Sequence, residues 1–473
     1  MSSPPHYDLV VIGSGPSGEK AAVKAAYFKR KVALVERETL FGGAGVNTGT
    51  LPSKTLKETA LYLSGKNDKG VYGVERALGK ATTIEDFLFR QKHVCSTIEA
   101  EVRANLERHK VDIYHGIGSF DDAHTIRVSR TGADDIILTA DHTIIATGSY
   151  PFHPPGMPFD HERVHDSDTI LELKFIPHSL CIVGAGVIGC EYATIFATMG
   201  TKVHLVNDRD KILGFVDEEV ALSLVEQMRL AGIEILFNAE VLSVTAPSPD
   251  QPVCIKLKSG AELNVEMFLF AAGRSGSTAD LHCDRAGVVV GKREQIPVDA
   301  EYRTNVPHIF AVGDVIGFPS LASTGMDQGR VAVTHILETH DLDSLAKLFP
   351  YGIYTIPEVS MVGMTEQDAI KANLSYCTGK ASHARTARGL ITGTTNGYLK
   401  LVFLREGLVI IGVHIIGHLA SELIHFGLSL VSEKKTVLEV ISVVFNYPTL
   451  HDLYKYACYD GLGNLSGHKI KAE

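Results

Sequence analysis

Tyr7-Asp-Leu-Val-Val-Ile-Gly13-Ser-Gly15-Pro-Ser-Gly18 and Leu180-Cys-Ile-Val-Gly184-Ala-Gly186-Val-Ile-Gly189 are two versions of one pattern. At the same distance beyond each comes a second matching pair, Lys31-Val-Ala-Leu-Val-Glu36 and Lys202-Val-His-Leu-Val-Asn207. Each apolar run reads as a buried strand entering the glycines, and the residues after them (Glu19 to Phe28 in the first copy) read as a helix. The first glycine makes the tight turn, the second lets the backbone approach a pyrophosphate, and the third lets the helix pack on the strand. The helix N-terminus then offers unpaired N–H groups and a partial positive charge to phosphates. Two such units predict two dinucleotide sites on one polypeptide, and so electron transfer between two bound nucleotides.

The copies differ at the end of the second strand. Glu36 places a carboxylate where it can bind the ribose hydroxyls of an adenosine. The matching residue is Asn207, and an amide does not repel a 2′-phosphate as a carboxylate does. Arg209 lies two residues on and can pair with that phosphate, between Asp208 and Asp210. The second site therefore reads as permissive, open to NADP and to NAD. The competing reading is that Asn207 only closes a turn, which asparagine favours for its own reasons.

The chain has 473 residues, enough for two or three domains with full cores. Its formal charge of −10 argues against a nucleic-acid binder. No basic run suggests a membrane-surface patch. Met1-Ser-Ser-Pro-Pro-His6 is polar, without an apolar signal segment, and the apolar stretch from Leu180 to Met199 carries Glu191 near its middle. A cytoplasmic protein is expected. The seven cysteines (95, 181, 190, 254, 283, 377 and 458) show no CxxC spacing. They read as reduced, buried thiols, and no metal site is expected.

Between the copies lies Gly42-Gly43-Ala-Gly45-Val-Asn-Thr-Gly-Thr50-Leu-Pro-Ser-Lys54, followed by a long helical stretch. Asp141-His-Thr-Ile-Ile-Ala-Thr147-Gly148 reads as a further buried strand, and Pro151, Pro154 and Pro155 read as a linker. The second unit closes on Met267-Phe-Leu-Phe-Ala-Ala-Gly273. Ile309-Phe-Ala-Val-Gly313-Asp314 then reads as a strand with an acid at its C-terminal end, where ligands sit in open α/β sheets. From about Pro350, short strands (Tyr398 to Leu404, Leu408 to Ile415) alternate with helices and no glycine fingerprint appears. The expected fold is α/β, with two Rossmann-like dinucleotide-binding domains and a C-terminal α+β dimerisation domain. The expected limits are 1–155 with 274–345, then 156–273, then 346–473.

The order of these motifs, with Ala-Val-Gly-Asp314 and Pro-Glu358-x3-Val-Gly363 after them, resembles the class I flavoprotein disulfide reductases over essentially the whole chain. The resemblance implies FAD in the first site, NAD(P)H in the second, and a homodimer built on the C-terminal domain, with higher oligomers open. It implies that Asp314 binds the ribityl chain of the flavin and that Lys54 and Glu191 form an ion pair beside the flavin N5. It extends the cofactor-contacting set to Gly116, Thr147, Gly148, Gly273, Arg274, Gly313, Leu321 and Ala322, beside Gly42, Gly43, Gly45, Thr50 and the glycines of both turns.

The departures bear on function. The family carries two cysteines where this chain has Gly45 and Thr50. Near the C-terminus it carries His before Pro-Thr with a Glu five residues later, where this chain has Tyr447 and Asp452. A phenol with a reference pKa of about 10 is a poor general base at neutral pH. Dithiol chemistry needs a thiolate and a proton acceptor, so disulfide reduction is not expected. A subgroup, the soluble pyridine nucleotide transhydrogenases, resembles the chain at Thr50, Asn207 and Asn446-Tyr447-Pro448-Thr449, although that subgroup generally keeps a cysteine at the Gly45 position. The leading expectation is FAD-dependent hydride transfer from NADPH to NAD through one nicotinamide site, with ping-pong kinetics. The alternatives are an NAD(P)H:quinone or diaphorase-type reductase, for which Gly45 opens space, and a non-catalytic, redox-reading flavoprotein.

Overall fold

The computed structural model describes residues 3–65, 71, 82–248, 250–339, 342 and 344–468. The first glycine unit forms a seven-stranded sheet. His6–Ile12 lies at its centre, parallel to Val32–Glu36 on one side and to the second half of Ile136–Ile145 on the other. Ile309–Ala311 joins in parallel at the far edge of Ile136–Ile145, although it arrives more than 160 residues later. This late return brings Asp314 to the C-terminal end of the same sheet as the first glycine turn.

The second unit forms a five-stranded, wholly parallel sheet in the order Glu234–Leu236, Lys202–Val206, Ser179–Val183, Met267–Phe270 and Val164–Asp166. Its strands read as continuous apolar runs because helices and a small antiparallel sheet cover both faces. A two-stranded ribbon, Ser149–Pro151 against Arg274–Gly276, carries the two crossings between the units. The C-terminal part is a five-stranded antiparallel sheet covered by the helices Ala420–Ser432 and Asp452–Ser466. The α/β class with a separate α+β C-terminal part is the one expected.

Some local boundaries differ from expectation. The helical stretch begins before Lys54, not after it: Gly43–Asn47 is one helical turn, and Thr50–Ser64 is a helix that already contains Lys54. Gly42 and Gly43 both have positive φ, so the glycine-rich spelling serves the tight entry into that turn. The expected long helical stretch continues at Ile84–Arg108, while residues 66–70 and 72–81 lie outside the described residues. The strand before Asp314 ends at Ala311, and Asp314 itself sits in the 3₁₀ turn Gly313–Ile316.

A tyrosine hydroxyl ties the final helix to Ala420–Ser432. The fully buried Tyr454 donates to the Leu423 carbonyl (2.7 Å) and accepts from the Gly427 N–H (3.0 Å). Tyr454→Phe removes both bonds, while the Gly427 N–H and the Leu423 carbonyl, four residues apart in one helix, can close on each other, so the expected cost is about 1 kcal/mol. Urea unfolding of the variant beside the parent protein checks this.

Candidate active site

Both glycine turns have the same build. Gly13 and Gly184 have φ near +100°. A Cβ on Gly18 or Gly189 would lie 2.0 or 1.8 Å from the carbonyl oxygen of Gly13 or Gly184, so only glycine lets the helix sit this close. Gly15 and Gly186 are under no such pressure from the protein, since an added Cβ meets one atom at 4.0 Å or nothing within 4 Å. Their bareness leaves the approach to the helix N-terminus open.

Capping makes the same point. Pro16–Tyr27 and Val187–Thr198 begin at Gly15 and Gly186 without a side-chain cap. The helices Ile84–Arg108, Glu366–Lys371 and Val437–Ser442 are each closed by a threonine capping box. At the two glycine turns no side chain does this, and the N–H groups and the helix dipole are left for an anion.

The residues at the ends of the second strands act alike and then diverge. Glu36 accepts from the Ser14 N–H (2.8 Å) and from the Glu38 N–H (2.9 Å). Asn207 accepts from the Ala185 N–H (3.1 Å), the counterpart of Ser14, but its amide donates to the carbonyls of Arg209 (3.3 Å) and Lys211 (3.0 Å). The turn-closing role weighed for Asn207 is therefore present in the structure. Arg209 is exposed and makes no ion pair among the described residues.

Lys54 and Glu191 meet across the two units. The ammonium lies 2.9 Å from both carboxylate oxygens, and Glu191 is buried. Glu191 also accepts from the Ser53 hydroxyl (2.9 Å) and from the Tyr354 N–H of the C-terminal part (3.0 Å). The Tyr354 ring lies 5.0 Å from the Lys54 ammonium, a cation–π contact. Behind it, buried Lys57 pairs with buried Glu358, which also accepts from the Ser421 N–H (3.0 Å). Burial alone lowers the Lys57 pKa, but the Glu358 carboxylate outweighs it and holds the ammonium charged. Sequence reasoning missed Ser53, Lys57 and Tyr354, although each stands inside or beside a quoted motif. Ser53 gains its role when the second unit brings Glu191 to Thr50–Ser64, and Lys57 and Tyr354 gain theirs when the C-terminal sheet docks there.

The other expected residues are placed as follows. Among the described residues the buried Thr147 hydroxyl has no partner, and it stands beside Gly148 at positive φ. Asp314 accepts from the Ser149 hydroxyl (3.0 Å), which accepts in turn from Arg274 (2.9 Å). Arg274 also binds the Ser149 carbonyl, Ser167 and Asp168, so its guanidinium spans the ribbon between the units. Gly116 donates to the Glu36 carbonyl (2.9 Å), Gly273 has φ of 138°, and Gly313 donates to Gln328 (2.8 Å). Leu321 precedes the helix Ala322–Leu337, which has no side-chain cap.

One expectation is corrected. Gly45 does not open space: a Cβ there would lie 2.8 Å from Cγ of Pro16, so the proline ring takes the room a side chain would use. Tyr447 and Asp452 have no hydrogen bond, ion pair or ring contact with Lys54 or Glu191 within the chain. Tyr447 is 69% exposed, and Asp452 opens the last helix on the C-terminal part. A cavity of about 450 Å³ runs beside Gly45 and Thr50, lined on its apolar side by Leu51, Ile98, Val102 and Met326. All seven cysteines are unpaired, and burial pushes the thiols of Cys181 and Cys458 up to about 12. Cys190, next to Glu191, is fully buried and also raised.

The pyridine nucleotide-disulphide oxidoreductase family model matches residues 7–329, and its dimerisation-domain model matches residues 349–458. The chain belongs to this family. A soluble pyridine nucleotide transhydrogenase of Mycobacterium tuberculosis is 44% identical over 460 residues, covering 97% of this chain and 98% of the relative. One from Pseudomonas fluorescens is 41% identical over 465 residues, covering 97% and 99%. Among solved structures, LpdA of M. tuberculosis superposes with a TM-score of 0.88 at 26% identity, covering 96% of this chain and 99% of that one. The HOCl-induced flavoprotein disulfide reductase RclA of Escherichia coli, as its Cu(II) complex, gives 0.87 at 26% identity with the same coverage.

Lys54→Met leaves the buried Glu191 carboxylate with hydroxyl and amide donors but no counter-charge. The expected loss is about 3 kcal/mol, and Glu191→Gln, which removes the charge instead, is expected to lose less. Urea unfolding of both variants makes the comparison.

Proposed function

We propose that this protein is a soluble pyridine nucleotide transhydrogenase that uses FAD to move reducing equivalents from NADPH to NAD. One observation carries the reading. The Lys54–Glu191 pair is intact between the two glycine units, while the positions that would pass electrons on to a disulfide hold Gly45 and Thr50. Electron entry is kept and the thiol exit is missing.

The residues fit the cofactor. The uncapped Gly15 helix, the buried and unpartnered Thr147 hydroxyl, and Asp314 at the end of the same sheet offer donors and acceptors along one edge. Bound there, FAD supplies a ring that takes a pair of electrons from one nicotinamide and returns it to another. Lys54 supplies a fixed positive charge, and Glu191 with Ser53 and Tyr354 keeps it in place. The Gly184–Gly189 turn holds the pyrophosphate of the nicotinamide nucleotide. Asn207 adds no negative charge near the ribose, so NADP and NAD are both admitted, with Arg209 facing the 2′-phosphate. One nicotinamide site used in turn by two nucleotides gives ping-pong kinetics. In this reading, residues 1–155 with 274–345 bind FAD, 156–273 bind NAD(P), and 346–473 dimerise. The exposed Val444 (92%) and Tyr447 belong to the dimerising part. No helix among the described residues is long and apolar enough to cross a membrane, and a cytoplasmic setting suits the proposal.

The second reading, an NAD(P)H:quinone reductase, rests on the missing thiols at Gly45 and Thr50, which leave the flavin's electrons without a disulfide to accept them. Anaerobic mixing with NADPH and thio-NAD separates the two. Fast thio-NADH formation with parallel double-reciprocal lines is the expected result. Flavin bleaching without thio-NADH, followed by turnover with a soluble quinone, would favour the reductase.

Asn207→Glu is expected to lower kcat/KM for NADPH about tenfold, through like charge against the 2′-phosphate. NADH serves as the control, because loss of the amide donors to Arg209 and Lys211 weakens both nucleotides together. An equal fall for both means that Asn207 only closes the turn.

A further inference from the structure

Far from the glycine turns, Lys400 is sealed inside the protein, with its side chain 1% exposed. Its ammonium lies 2.9 Å from Oδ1 of Asp217, which is wholly buried, and 2.7 Å from Oε2 of Glu366. Glu219 lies 3.2 Å away and also pairs with Lys380. The cluster crosses a boundary. Asp217 and Glu219 belong to the second glycine unit, and Lys400, Glu366 and Lys380 belong to the C-terminal part. Directed hydrogen bonds cross with it: Glu366 N–H to Asp217 (3.2 Å), Glu218 N–H to Gln367 (3.3 Å), and the hydroxyls of Ser223 and Tyr398 (3.2 Å).

Stability does not explain the arrangement. Removing charges from water costs several kcal/mol per ion, and apolar packing of equal volume is often at least as stable. What a buried ion cluster supplies is one register. Asp217 shows where the register is used. It stands just before the helix Glu218–Leu230, in the place of a cap, yet makes no cap bond to its own helix. Its carboxylate is spent on Lys400 and on the Glu366 N–H instead.

Residues 207–217 form a strap over the second glycine turn. At one end Asn207 accepts from the Ala185 N–H. In the middle the Leu213 N–H donates to the Ala185 carbonyl (3.0 Å), and Ile212, Leu213 and Val216 are buried. At the other end Asp217 is tied to Lys400. The exposed Arg209 rides on this strap. Paired hydrogen bonds from a guanidinium to a phosphate are sensitive to position, so the anchor of the strap bears on that contact.

We propose that Lys400 is a positioning residue for the second nucleotide site: by holding Asp217 it fixes the 207–217 strap and sets how strongly the site favours a 2′-phosphate. This rests on the reading of that site as one for NAD(P), with Arg209 at the 2′-position. The C-terminal part then tunes nucleotide selectivity through a side chain remote from the nucleotide.

Calorimetric titration of the FAD-loaded protein with NADP⁺ and with NAD⁺ tests it. Lys400→Met is expected to weaken NADP⁺ about fivefold more than NAD⁺, in the range of remote coupling energies. Asp217→Asn, which leaves Lys400 paired with Glu366 and Glu219, is expected to move the ratio in the same direction and serves if Lys400→Met does not fold. An unchanged ratio of the two dissociation constants, even with both weakened, overturns the proposal. Arg209→Ala keeps the two failures apart. If it leaves NADP⁺ binding intact, the underlying reading of the site falls. If it weakens NADP⁺ while the Lys400 and Asp217 variants keep the parent ratio, only the positioning role falls.

Discussion

The carboxylate of Glu191 is where the three parts of this molecule meet. It belongs to the helix of the second glycine unit, takes the ammonium of Lys54 from the first, and accepts the Tyr354 N–H from the C-terminal part. One turn further along the same helix, the Thr194 hydroxyl accepts the Ile356 N–H (3.1 Å). A buried carboxylate must have partners or lose its charge, and here the partners come from separate segments of chain. The relative placement of two nucleotide turns and a dimerising sheet therefore converges on one functional group.

The two glycine units show how little chemistry separates related binding sites. Their turns share positive φ at the first glycine, free space at the second and steric necessity at the third. Glu36 and Asn207 both accept the N–H of the residue between the first two glycines. They part at the second terminal atom, an anionic acceptor in one and a neutral donor in the other. That difference changes which backbone groups can lie alongside.

Around this machinery the chain spends buried charge where position matters. Lys57 with Glu358 and Lys400 with Asp217 and Glu366 each tie the C-terminal sheet to one of the other parts. Arg274 does so at the ribbon between the nucleotide units. Each contact spends desolvation energy for a fixed geometry, the condition under which a pair of bound nucleotides can meet reproducibly.

The sequence by itself determined what depends on near neighbours along the chain. Strand, turn and helix at Gly13 to Gly18 and Gly184 to Gly189 follow from sterics within a dozen residues, and the absence of cysteines at 45 and 50 is read directly against the family resemblance. Only the tertiary structure decided what depends on distant segments. It showed that Pro16 fills the room beside Gly45, that Arg274 is committed to the ribbon, and that Tyr447 makes no bond with Lys54 within one chain. It also showed that Ser53 and Tyr354 support the central ion pair and that Lys400 reaches Asp217. The physical reason is that hydrogen bonds and ion pairs act over a few ångströms, and which residues come within that range across tens to nearly two hundred positions is set by packing, on which local sequence is silent.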